Sequence, residues 1–116
     1  MATKRPAERY RDIASACEAI FAYTKDYDEA RYFADQKTQD AVERQLLKIA
    51  EAAAKLGETA PRDLPQHAWP AIRGLGNRLR HEYDSIDGDT IWNLISSDTL
   101  KHLRDDCKKL YESASG

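Results

Sequence analysis

The scarcity of valine is the sequence feature that most narrows the possible fold. The 116 residues include 17 Ala and 10 Leu but a single Val, with 5 Gly and 4 Pro. Ala and Leu are strong helix formers, whereas Val belongs to the β-branched residues that are enriched in strands. The sequence therefore predicts an all-α protein.

Length, charge and hydropathy exclude several classes of protein. A chain of this length has room for one domain, which we place at residues 1–116. The net charge of -2 provides no overall attraction to nucleic acid or anionic lipid, so any phosphate binding must depend on a local patch. No apolar run approaches the roughly 20 residues of a membrane span, and the charged start of the chain lacks a secretion signal. We therefore expect a cytoplasmic protein without a membrane partner.

Apolar residues recur at helical spacing along most of the chain. Helices are predicted at about 7–25, 37–56, 70–83, 91–95 and from 98 to the C-terminal region. Residues 26–35 predict a turn with a short helix, and the proline-containing stretch 58–69 predicts a loop. Cys17 and Cys107 match no metal-ligand spacing and are predicted to be buried thiols. The expected architecture is a small up-and-down bundle of about four long helices with short additional helices.

The predicted helix at 70–83, PAIRGLGNRLRHEY, separates into two faces at about 100° per residue. Its apolar side carries Ile72, Leu75, Leu79 and Tyr83. Its polar side carries Arg73, Asn77 and His81 at successive steps of four residues, with Arg80 beside them.

These polar residue types suit the chemistry of phosphodiesters. Arg can hold a phosphate through two parallel hydrogen bonds, and His, with an ordinary pKa near 6.5, exchanges protons at neutral pH. On RNA, the imidazole could remove the 2′-hydroxyl proton while a guanidinium stabilises charge on the phosphate oxygens, with no metal required. A solvated helix face remains the alternative interpretation of the same residues.

The sequence resembles the HepT-like toxins of the HEPN superfamily, a family found beside minimal nucleotidyltransferases. The stretch KTQDAVERQLLKIAEAAAKL resembles the family's second long helix, and WPAIRGLGNRLRHEYDSIDGDTIWNLI resembles its signature helix and the Ile-Trp helix that follows. With YRDI in the first helix, the similarity covers nearly the whole chain. It implies an all-α homodimer whose signature helices face each other across a composite cleft. It also implies a metal-independent ribonuclease toxin without a cofactor, acting on RNA and not on DNA.

The family motif is an Arg and a polar residue, usually Asn, followed a few positions later by His, any residue and Tyr. Asn77, His81 and Tyr83 match this motif, but Gly76 occupies the position of the Arg. Tyr83 corresponds to the tyrosine that a partner nucleotidyltransferase antitoxin modifies with AMP. Its position near Leu79 on the helical wheel equally suits a core tyrosine.

Two other arginines are candidates for the missing guanidinium. Arg80 follows Gly76 by one helical turn on the same azimuth, and helical side chains lean toward the N-terminus, so Arg80 is predicted to cover Gly76. Arg73 lies about 12 Å along the helix axis from His81 and would act across a dimer axis. Our hypothesis makes His81 the general base and Arg80, helped by Arg73, the phosphate-binding group. The alternative is a catalytically inactive HEPN module that binds a nucleotide or the partner nucleotidyltransferase.

The remaining polar candidates have simpler interpretations. Glu51 occupies a position where the family often carries Glu; it could orient a basic residue of the cleft or be a surface carboxylate. His102, Asp105 and Asp106 have helical spacing that could hold a metal, but a solvated face is the favoured interpretation. His67 is expected to pack near Trp69.

Overall fold

A computed structural model describes residues 5–81 and 88–115, and within these ranges all regular structure is α-helical. The helices are α1 (Pro6–Tyr23), α2 (Glu29–Phe33), α3 (Gln36–Leu56), α4 (Thr59–Asp63), α5 (Trp69–His81), α6 (Gly88–Ser96) and α7 (Thr99–Ser115). The all-α prediction is confirmed. The two short helices, α2 and α4, separate the longer ones.

The core forms where α1 packs against both α3 and α7, while α3 also packs against α5. Each of these helices contributes residues at the predicted spacing of three and four. The fully buried positions include Ile13 and Ile20 of α1, Val42 and Leu56 of α3, and Leu103 of α7. The apolar stripes read from the sequence therefore meet in one cluster.

The predicted loop at 58–69 is wrong in part, because it contains the short helix α4 (Thr59–Asp63). Gly57 ends α3 with a φ of 55°, a left-handed conformation that Gly adopts without a Cβ penalty. Pro61 is then the third residue of α4, where its missing N–H has no helical partner to lose. A proline that indicates a loop in the sequence here belongs to the first turn of a helix.

Both cysteines are free and fully buried, as predicted. Burial raises the pKa of the Cys17 thiol to about 12 and also raises the pKa of Cys107. Because the thiolate is the reactive form, both side chains behave as small apolar core residues at neutral pH.

Helix α5 is positioned by its first residue. Trp69 is 1% exposed, and its indole Nε1 donates a 2.8 Å hydrogen bond to the main-chain oxygen of Leu64. Pro70 follows in the first turn of α5, as its fixed φ favours. The predicted end of this helix at Tyr83 and most of the predicted turn at 85–89 lie outside the described residues. The next helix, α6, begins at Gly88.

Candidate functional site

Helix α5 separates into the two faces that its sequence predicts. Ile72, Leu75 and Leu79 pack against the core, whereas Asn77, Arg80 and His81 are exposed. Arg73, the fourth residue of the predicted polar face, is half-buried.

Gly76 lies where α5 packs closely against α3. It is buried, and a Cβ built on it would lie 2.6 Å from the Cβ of Ala50 on α3. Real Cβ atoms do not approach so closely, so a side chain at this position would require one helix to move. This contact leaves no room for a side chain at the position where the resemblance in the sequence expects an Arg.

The guanidinium of Arg80 lies beside the same spot. Its Nη2 and Nη1 atoms are 3.5 and 3.7 Å from the Cβ position of Gly76. Nη2 also donates a hydrogen bond of 3.2 Å to Oδ1 of Asn77. Arg80 thus reaches back by one turn over Gly76, in the direction predicted from the geometry of helical side chains.

Glu51 of α3 is the acidic partner of Arg80. Its Oε1 atom lies 3.7 Å from Nη1 of Arg80, with the two side chains 46% and 36% exposed. An ion pair of this length and exposure contributes little to stability, on the order of 0–1 kcal/mol. The pair places a carboxylate beside the guanidinium. Glu51 thus contacts a basic residue, which is one of the two possibilities that its position left open.

His81 is the last described residue of α5, and its side chain is exposed. It follows Arg80 directly in the sequence, and the structure brings Arg80 into contact with Asn77 and with Glu51. Arg73 has no described contact with this group. Tyr83 lies outside the described residues.

Two grooves border the helices that hold this cluster. A polar groove of about 480 Å³ runs between α1 and α3, and Glu51 belongs to its lining. An apolar groove of about 900 Å³ lies on the edge of α5 away from Arg80, between α5 and the α6–α7 segment. Its lining residues include Ala71, Leu75 and Leu94. Arg78 also borders the apolar groove, away from Arg80, as its azimuth on the helix predicts.

A contact that sequence reasoning missed joins the segment before α5 to α7. Nε2 of His67 lies 2.7 Å from Oδ2 of Asp106, and Nε2 of Gln66 donates to the same oxygen at 2.9 Å. These hydrogen bonds to His67 and Gln66 lower the pKa of Asp106 against the opposing effect of burial. The ring of His67 also contacts Trp69 edge to face with centroids 5.9 Å apart, so the expected packing is present.

Two of the three side chains with metal-ligand spacing on α7, Asp105 and Asp106, have partners within the protein. Asp106 pairs with His67, and Asp105 accepts a 2.6 Å hydrogen bond from Nε of Arg104. Across residues 5–81 and 88–115, no group of three or more His, Cys, Asp or Glu side chains is arranged to hold a metal ion. No helix in the same ranges combines the length and apolar character needed to cross a bilayer.

Comparisons with known proteins extend the resemblance seen in the sequence. The chain is 31% identical over 101 residues to a protein of Methanocaldococcus jannaschii named "Putative RNase", a match covering 87% of this chain and 80% of that protein. It is 31% identical over 96 residues to a Thermococcus cleftensis protein named "Probable ribonuclease HepT", covering 82% and 87% of the two chains. No solved structure is a significant match. Residues 13–110 match the family described as Ribonuclease HepT-like, and the chain therefore belongs to the HepT-like family.

Proposed function

We propose that this protein is an endoribonuclease, the toxin of a toxin-antitoxin pair, which cleaves RNA in the cytoplasm at a site on α5. The family and the names of its relatives support this class of activity. The observation that carries the proposal is the position of the Arg80 guanidinium, 3.5 Å from the Cβ position of Gly76 and hydrogen-bonded to Asn77. Arg80, which directly precedes His81, thereby places a cation beside the position where the family motif has its Arg.

The chemistry follows from the two side chains. His81 removes the proton of a ribose 2′-hydroxyl, and the 2′ oxygen attacks the adjacent phosphorus. The bond from phosphorus to the 5′ oxygen breaks, and that oxygen takes up a proton. Arg80 stabilises the negative charge that develops on the phosphate oxygens, and Asn77 holds its guanidinium in place. The products are a 2′,3′-cyclic phosphate and a 5′-hydroxyl, formed without a metal ion.

The site is proposed to be completed by a second copy of the chain. The apolar groove beside α5 exposes Ala71 and half-buried Leu75 and Leu94, and burying such a surface favours association. Pairing along this edge would bring the two α5 helices together. Arg73, about 12 Å along the axis from its own His81, is proposed to act on a phosphate held mainly by the other chain.

Control of the toxin is proposed to be covalent. A minimal nucleotidyltransferase antitoxin would add AMP to Tyr83, placing bulk and negative charge two residues from His81. Co-expression with the neighbouring nucleotidyltransferase, followed by intact-mass measurement, tests this step. The wild-type chain should gain the mass of AMP, and Tyr83→Phe should not; an unmodified wild-type chain would contradict the modification.

Cleavage is tested with single alanine variants and a labelled RNA. His81→Ala should lower the rate by about 10²–10⁴-fold, the usual contribution of a general base. Arg80→Ala should lower it by about 10²–10³-fold, as for loss of a transition-state donor. Arg73→Ala should have a smaller effect, and Arg44→Ala, which alters an exposed arginine of α3 outside the cluster, should have none. Wild-type rates in all three site variants would refute the proposal.

The alternative function is an inactive HEPN module that binds a nucleotide or the partner enzyme. The observation that favours it is the Arg80–Glu51 pair, since a guanidinium partly neutralised by a carboxylate is a weaker phosphate ligand. Expression of the chain alone separates the two functions. Toxicity that His81→Ala abolishes supports the ribonuclease, whereas a non-toxic wild-type chain that binds its partner supports the module.

A further inference from the structure

The polar groove between α1 and α3 lies directly beside the candidate site. Glu51 contributes to its lining and at the same time pairs with Arg80 at 3.7 Å. Glu51 therefore links the Arg80 guanidinium to the groove. The apolar groove lies on the opposite edge of α5, and neither Glu51 nor Arg80 lines it.

Two lysines supply the uncompensated charge of the polar groove. Its charged lining comprises Arg9, Asp12, Lys48, Glu51 and Lys55. Arg9 lies 3.4 Å from Asp12 and 3.4 Å from Glu8, and Glu51 is paired with Arg80, so three of the five charged lining side chains, Arg9, Asp12 and Glu51, are already engaged. Lys48 and Lys55 are exposed and form no ion pair or hydrogen bond with another described residue.

The spacing of the two lysines suits an extended polyanion. Seven residues, about 10 Å along the axis, separate Lys48 from Lys55, so both lie on one face of α3. Glu51 and the Arg80 guanidinium lie between them along the helix. The two lysines in the groove, with Arg80 beside it, can neutralise successive phosphates of one strand, whereas a single free phosphate would need only one of them.

An exposed aromatic ring lies at one end of the groove. Tyr23, at the end of α1, is 39% exposed, and its hydroxyl accepts a 3.3 Å hydrogen bond from Nε2 of Gln45, a lining residue. Proteins that bind single strands combine a cationic groove with aromatic rings on which bases stack. The combination of lysines and Tyr23 favours a nucleic acid strand over an acidic protein surface.

We infer that the groove between α1 and α3 binds the RNA strand beside the cleaved phosphate, with Lys48 and Lys55 on backbone phosphates and Tyr23 beneath a base. The identity of this ligand rests on the proposed ribonuclease function. The groove itself is defined independently by its geometry and charge.

The test measures binding of a fluorescein-labelled 12-nucleotide oligouridylate by fluorescence anisotropy. His81→Ala is the background of every variant, so that the RNA stays intact. Lys48→Ala with Lys55→Ala should raise Kd by about 10-fold or more at 0.1 M salt. The slope of log affinity against log salt should become shallower by about 1.4, since each contact with a single strand contributes about 0.7. Tyr23→Ala should raise Kd by roughly 5-fold or more without changing that slope, because stacking involves no counterion release.

The matched control removes the same charge elsewhere. Lys37 and Lys101 are exposed on α3 and α7 and line neither groove. Lys37→Ala with Lys101→Ala should change Kd by less than about 2-fold. Equal effects of the two lysine pairs, or an oligouridylate that does not bind at all, would overturn the assignment of the groove.

The same variants separate this inference from the proposed function. If the wild-type chain fails to cleave RNA but the groove variants still weaken binding selectively, the ribonuclease proposal fails and the groove assignment stands. If the wild-type chain cleaves RNA and the groove variants bind like the control pair, only the groove assignment fails. Selective binding of an acidic protein in place of the oligouridylate would also overturn it.

Discussion

The two edges of α5 differ in polarity and in whether their side chains have partners within the chain. On one edge, Arg80 is held by Asn77 and Glu51, and the helix lies against Ala50 through Gly76. On the other edge, Ala71 and Leu75 border an apolar groove of about 900 Å³. The Arg80 guanidinium on the first edge has partners within the chain, whereas the apolar side chains on the second edge border a groove that is open to water. The difference indicates that the first edge is suited to a ligand and the second to association.

The largest effect is expected on the apolar edge. Ala71 is exposed, so Ala71→Asp should leave the monomer folded while placing a carboxylate in each half of the proposed dimer interface. An unpaired charge buried there costs about 3 kcal/mol or more, which would raise the Kd of the dimer by about 150-fold or more. Light scattering coupled to size exclusion measures the outcome. Ala54→Asp, at an exposed position of α3 outside both grooves, is the control, and a dimeric Ala71→Asp protein would contradict an interface on this edge.

The contact between Gly76 and Ala50 should be sensitive to the addition of a single methyl group. Gly76→Ala should destabilise the protein by about 1–3 kcal/mol, because its Cβ would overlap Ala50. Gly74→Ala has nothing within 4 Å of its new Cβ, so it should be neutral or stabilising by up to about 1 kcal/mol through helix propensity. Thermal unfolding followed by circular dichroism measures both.

A second substitution makes this test specific to the helix contact. Ala50→Gly combined with Gly76→Ala should recover much of the lost stability, since it removes the other methyl group of the pair. A Gly76→Ala protein as stable as Gly74→Ala would show that α3 and α5 can shift to admit a methyl group without loss of stability.

The link between His67 and Asp106 lies at the end of the apolar groove that His67 also lines. Because the pKa of Asp106 is lowered in the folded state, its ionised form stabilises the fold above the ordinary carboxyl pKa near 3.9. That contribution is lost as the pH falls through the lowered folded value. Asp106→Asn should lower Tm by a few degrees at pH 7, corresponding to about 1 kcal/mol.

Melting temperatures measured between pH 2.5 and 7 test this sign. The difference between wild type and Asp106→Asn should shrink steadily below pH 4. Glu58→Gln, which alters an exposed carboxylate without a capping hydrogen bond, should show no such convergence. A difference that stays constant across this range would contradict the assignment to Asp106.

The smallest effect is expected at Glu51. Glu51→Gln should change stability by less than about 1 kcal/mol, because the pair with Arg80 is long and exposed. It should raise RNA affinity a few-fold by removing a carboxylate next to the phosphate, with Glu112→Gln on α7 as the control for lost charge. If Glu51→Gln instead weakens RNA binding, Glu51 contributes more by orienting Arg80 than it costs by neutralising the charge of Arg80.

Much of the fold could be predicted from local patterns. The stripes of Ile13, Cys17 and Ile20 in α1 and of Val42 in α3 are buried as expected, because spacing of three and four residues places them on one face of a helix. The loop prediction for 58–69 failed at α4, because Pro61 is compatible with the first turn of a helix as well as with a loop. Trp69, a fully buried anchor, has no periodic signal because it begins its helix.

By itself, the sequence determined the all-α class, the polar face of α5 and the reach of Arg80 over Gly76, since each depends on geometry within one helix. Only the tertiary structure decided that Gly76 lies against Ala50, that Glu51 pairs with Arg80, and that a polar groove continues from that pair. Those features depend on the distance and rotation between α5 and α3. Such quantities result from packing over the whole interface, so no spacing along a single helix encodes them.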